Sequence, residues 1–224
     1  MIDLNLKVLA AVAAVIAIAV IGSLYYFIVI RHPATQPSSS TSLGQLLSAK
    51  PGAVNSSELS SLLGGNWTML GNSSFVAVVN LKKGQLDVGY LNGTSKTLNL
   101  SNGLELIGPT GQANGGYPLW VTGYFYYSKV SPNTTYQLGI EVFRATNSTQ
   151  INWTMSAVEG HFNIAPQTAD GITYVVVQPY APVYNITFVY ASYRSTYLII
   201  VISLSNASKG QLVQVTAAAA KSIG

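Results

Sequence analysis

The segment Val183-Tyr184-Asn185-Ile186-Thr187-Phe188-Val189-Tyr190-Ala191-Ser192-Tyr193-Arg194-Ser195-Thr196-Tyr197-Leu198-Ile199-Ile200-Val201-Ile202-Ser203-Leu204 decides the fold. In its first half, Ile186 and Phe188 fall on one face of a strand, while Asn185, Thr187 and Val189 fall on the other. In its second half, Tyr197 to Ile202 is apolar without alternation, which is the pattern of a central strand covered on both faces. A long hairpin with strands at about 183–191 and 196–204 follows, and something must cover each of its faces.

The tail supplies one cover. Leu212, Val215, Thr216, Ala219, Ala220 and Ile223 fall on a single helical stripe after a cap at Asn206 or Ser208, with Lys221 in the last turn. Working back along the chain, period-two runs predict strands at about 75–80, 85–91, 95–100, 118–128, 135–143 and 172–178. Turn signals separate them, including Asn92-Gly93, Asn102-Gly103, Asn114-Gly115-Gly116 and Asp170-Gly171. A further helix is expected through 147–158. Two short helices are expected from Leu43, Leu46, Leu47 and Leu59, Leu62, Leu63, the second capped by Asn55 with Glu58 and ended by Gly64-Gly65. The predicted fold is a β-rich α+β domain over 43–224, an antiparallel sheet with short N-terminal helices and a C-terminal helix. A β-sandwich is the alternative. The order of elements resembles PsbP-like and similar lipoprotein domains, in which a curved antiparallel sheet packs against terminal helices.

Ahead of this domain, Val8 to Ile30 is uncharged and free of Pro, and as a helix it covers the roughly 30 Å hydrocarbon layer of a bilayer. A cleaved signal peptide has a shorter apolar stretch, and a buried globular helix is seldom so uniformly apolar. Tyr25, Tyr26 and Phe27 suit the lipid–water interface. The expected organisation is a cytoplasmic tip at 1–7, a transmembrane helix at 8–30, a Ser/Thr/Pro-rich stalk at 31–42 and an extracytoplasmic domain at 43–224.

Flanking charges leave the orientation open, and the asparagines decide it. Asn-x-Ser/Thr occurs at Asn55, Asn66, Asn72, Asn92, Asn99, Asn133, Asn147, Asn152, Asn185 and Asn206, ten of the fifteen Asn in the chain. With 24 Ser and 17 Thr in 224 residues, random neighbours would give only about three such acceptor triplets. All ten follow the apolar segment, so the C-terminal domain is expected outside the cytoplasm with N-linked glycans, and the N-terminus inside. This combination of anchor, dense sequons, 8% charged residues, no Cys and 14 Tyr resembles the membrane-anchored surface glycoproteins of thermoacidophilic archaea. Such a resemblance implies acid surroundings, where carboxylates lose their charge and make poor salt-bridge partners. The domain holds six: Glu58, Asp87, Glu105, Glu141, Glu159 and Asp170.

Chemistry-bearing patterns are sparse. No Cys means no disulfide, thiolate ligand or Cys nucleophile. His161 near Glu159 lacks the further ligands of a metal site, and a Ser–His161–Asp170 set lacks a Gly-x-Ser-x-Gly elbow. Gly111, Gly115, Gly116, Gly123 and Gly139 lack phosphate-loop spacing. Lys82-Lys83 is the sole adjacent basic pair, which argues against nucleic acid despite the +4 charge. Asn-Trp-Thr-Met recurs at 66–69 and 152–155, but the flanking residues do not match. The candidate contact surface is the aromatic run around Trp120, Tyr124 and Tyr126, which share one face of a strand; the competing reading puts that face in the core.

No catalytic, cofactor or metal residues are expected. The expected function is that of a non-enzymatic surface glycoprotein, anchored in the membrane and contacting envelope proteins, a sugar or a neighbouring subunit. Two alternatives stand: an accessory subunit of a membrane complex, packing through Gly22 and the Ala10–Ala19 face, and a pilin-like filament or virion subunit.

Overall fold

The computed structural model of the protein describes residues 41–102, 117–131, 134–179 and 185–224. Two short helices, α1 (Leu43–Ala49) and α2 (Ser56–Leu63), lead into strands β1 (Trp67–Met69), β2 (Phe75–Asn80), β3 (Gln85–Tyr90) and β4 (Ser95–Asn99). A 3-10 turn at Leu100–Asn102 precedes the hairpin strands β5 (Trp120–Ser131) and β6 (Thr134–Arg144). Helix α3 (Ser148–Phe162) then connects to β7 (Gln167–Ala169), β8 (Ile172–Val177), β9 (Ile186–Tyr193) and β10 (Tyr197–Leu204), and α4 (Lys209–Ile223) closes the chain.

The strands form one sheet in the order β4-β3-β2-β5-β6-β10-β9-β8-β7, and every described pairing is antiparallel. A single sheet with helices on its two faces replaces the β-sandwich alternative. The long hairpin is its centre: β10 lies between β6 and β9, with Leu198, Ile199, Ile200 and Val201 at 0% exposure. Ile199 and Val201 pack in one cluster with Leu212, Val215 and Ala219 of α4 and Leu59 of α2, whereas Leu198 and Ile200 share the opposite cluster with Ile151, Met155 and Val158 of α3. The unalternating run at 197–202 is thus explained, because each residue meets a helical layer whichever way it points. Burying each such side chain contributes about 1.5–3 kcal/mol.

Local chemistry sets the helix ends. Asn55 accepts from the Glu58 amide at 2.8 Å and Gly64 caps the C-terminus of α2 at φ 72°. Ser208, rather than Asn206, is the cap of α4, in a reciprocal capping box with Gln211. Strands β1 and β7 escape sequence reading because three residues are too few to show a period. Helix α3 outruns its expected end at 158 by four residues, stopping where Asn163 turns left-handed.

β1 and β2 lie in line along one edge of β5, opposite 126–128 and 120–123. Across the gap, the Ser74 hydroxyl accepts from the Phe125 amide at 3.0 Å, standing in for a strand carbonyl. The two Asn-Trp-Thr-Met copies differ in structure, one entering β1 and the other lying inside α3, so they are no repeat. Among the described residues no helix is long and apolar enough to cross a membrane; the transmembrane segment expected at 8–30 and the stalk up to residue 40 lie outside the described residues.

Candidate functional site

Among the described residues, the sequon asparagines are candidates that the fold leaves exposed to solvent. Nine of the ten fall within the described residues, Asn133 being outside them, and all nine asparagines are exposed. They reach that surface from unlike elements. Asn55 and Asn147 cap α2 and α3; Asn66 precedes β1, Asn72 sits between β1 and β2, and Asn92 turns β3 into β4. Asn99 ends β4, Asn152 lies on the outer side of α3, Asn185 leads into β9, and Asn206 links β10 to α4. On α3 the neighbours Ile151, Thr154 and Met155 are buried while Asn152 is not, so the helix turns its acceptor outward.

The amide atoms divide their work. Asn147 accepts from the Gln150 amide at 3.2 Å, as Asn55 does from Glu58, and Asn92 accepts from the amide and hydroxyl of Thr94 at 3.0 and 2.7 Å. In each case the oxygen Oδ1 holds the backbone, whereas a glycan is carried on Nδ2. Capping and glycosylation therefore do not compete at these three residues. At the end of the hairpin, Asn185 Nδ2 donates to Asn206 Oδ1 at 3.4 Å and Asn206 Nδ2 donates to the Tyr136 hydroxyl at 2.7 Å. Two acceptors meet there.

The aromatic contact surface is corrected by burial. Trp120, Tyr124 and Tyr126 do share a face, but they are 6%, 0% and 1% exposed and belong to the core cluster beneath α2 and α4. Tyr126 spends its hydroxyl on both backbone groups of Val54, donating to the carbonyl at 2.7 Å and accepting from the amide at 3.1 Å. Trp120 begins a cross-strand row through Arg144, Tyr197 and Tyr193, in which the Arg144 guanidinium lies 4.4 Å from the Tyr197 ring centroid. Sequence showed which rings share a face but not which face is core, because helices cover both.

His161 is exposed in the last turn of α3, edge-on to Phe162 at 4.7 Å, and Asp170 sits left-handed in the β7–β8 turn. Among the described residues no three His, Cys, Asp or Glu side chains gather to hold a metal. Among the described residues, one of the domain's six carboxylates is set apart by an environment that sequence reading did not foresee. Glu141 projects from β6 between Gly123 of β5 and Ile200 of β10, on the face that carries Phe143 and Tyr190, and burial pushes its carboxyl up to about 7. A lone Glu inside the otherwise apolar run Leu138 to Phe143 was the available signal. No family model, curated protein or solved structure matches this chain.

Proposed function

We propose that the chain is a membrane-anchored surface glycoprotein: residues 8–30 hold it in the bilayer, 31–42 space it off, and the sheet domain faces outward under N-linked glycans as a non-catalytic module of the cell envelope. The observation that carries this reading is the exposure of every described sequon asparagine, from caps, turns, a strand end and a helix face alike. Ten acceptor triplets among fifteen Asn, where random neighbours would give about three, support the same reading.

An acidic exterior fits the way the fold holds its cations. Lys96, Arg144 and Arg194 lie over the rings of Tyr90, Tyr197 and Tyr193 at 5.3, 4.4 and 4.9 Å. A neutral ring keeps its attraction for a cation when carboxylates protonate. The test is protease treatment of intact cells. The reading expects the domain from about residue 43 onward to be shed while the anchor stays with the membrane; a domain protected until the cells are broken would refute it.

A further inference from the structure

Within the glycoprotein reading, on which this inference rests, we infer that Asn72, Asn152 and Asn185 receive their glycans before the domain folds, whereas Asn55, Asn66, Asn92, Asn99, Asn147 and Asn206 stay open to modification afterwards. The acceptor triplet is defined by two groups, the Asn amide and the hydroxyl two residues on, so the transferase must reach both. At six of the nine described triplets it can: Ser57, Thr68, Thr94, Ser101, Thr149 and Ser208 are all exposed.

At the other three the asparagine is outside and its hydroxyl partner is inside. Ser74 is 0% exposed and its oxygen holds the Phe125 amide across the β1–β2 gap. Thr154 is 3% exposed and donates to the Gln150 carbonyl at 3.1 Å within α3. Thr187 is 4% exposed, accepts from Gln178 at 3.0 Å, and lies in β9 between β8 and β10. Reaching Thr154 means unwinding α3 and baring Ile151, Met155 and Val158; reaching Thr187 means parting central strands.

The transfer itself is a displacement. Asn Nδ2 attacks the anomeric carbon of an oligosaccharide carried on a lipid phosphate, an N–C bond forms as the C–O bond to phosphate breaks, the lipid phosphate leaves, and the Nδ2 proton passes to a base of the transferase. Nothing in that step needs a folded acceptor. Openings of packed core elements are populated at about 10⁻³ or less, so the three buried triplets react on the order of 10³-fold more slowly once the domain is folded.

The experiment is cell-free synthesis of the full chain into membranes containing an oligosaccharyltransferase. The lipid-linked donor is either present throughout or withheld until the chains are released and folded, and occupancy is read site by site by mass spectrometry. With the donor throughout, all nine sites are expected to fill; with the donor withheld, Asn72, Asn152 and Asn185 stay bare while the other six fill. Late modification of Asn152 at the rate of Asn147, five residues away, would overturn the inference. So would native protein bearing glycans at the six open sites and none at the three. A chain bare at all nine in both arms and in cells would instead remove the glycoprotein reading itself, and this inference with it.

Discussion

Glu141 stands on the apolar face shared with Phe143 and Tyr190, and burial raises its carboxyl from 4.5 to about 7. A pKa raised by folding means that the folded state holds the proton more tightly. Its stabilising contribution is therefore complete below about pH 4.5 and lost as pH rises through about 7. The residue still meets some water, so we put the effect on the order of 2 kcal/mol after screening. The unfolding midpoint should rise by about 4–8 °C between pH 7 and 4.5 from this group, and Glu141→Gln should flatten that slope; an unchanged slope in the variant would remove Glu141 as its cause. Tyr126 makes a second prediction. Tyr126→Phe leaves the amide and carbonyl of Val54, a residue 1% exposed, without their partner and should cost about 1–3 kcal/mol in denaturant unfolding. Sequence alternation put Tyr126 with Trp120 and Tyr124 correctly. It had no access to Val54, 72 residues away, which is what makes the hydroxyl structural.

Among the elements, α4 shows how far pattern reading reaches. Of the expected stripe, Leu212, Val215, Thr216, Ala219 and Ala220 are buried and Ile223, in the last turn, is half-buried, and the unalternating β10 found its cover. The cap was ambiguous because Asn206 and Ser208 are both good capping residues, and the ambiguity now separates two effects. Ser208→Ala removes the cap and the acceptor hydroxyl of Asn206 together, while Asn206→Gln removes the acceptor and leaves the cap in place. Calorimetry of unglycosylated protein should show a loss of about 1 kcal/mol for Ser208→Ala. It should show a smaller one for Asn206→Gln, which gives up the exposed bonds to Asn185 and Tyr136. Equal losses would contradict the assignment of Ser208 as the cap. What pattern could not supply was the order of the strands. β6 and β10 are neighbours although α3 and three strands separate them in the chain, and that pairing rests on packing rather than on any local signal.

Over the molecule as a whole, the described residues place the large apolar side chains of the core beneath the helices on the sheet's two faces and all nine described sequon asparagines at the surface. The terminal strand β4 shows the consequence. It carries Lys96 and ends at Asn99, with Asn92 in the turn that precedes it, so charge and two acceptors flank a strand of the kind that otherwise recruits other chains. The pair Asn92→Gln and Asn99→Gln should increase self-association by size-exclusion chromatography with light scattering; an unchanged mass at matched concentration would deny the glycans that role. The most direct test of the central claim is site-resolved glycopeptide mass spectrometry of the protein isolated from its own cells. Glycans on the exposed asparagines from Asn55 to Asn206 are the expected result, and unmodified asparagine at every one of those positions would contradict the account.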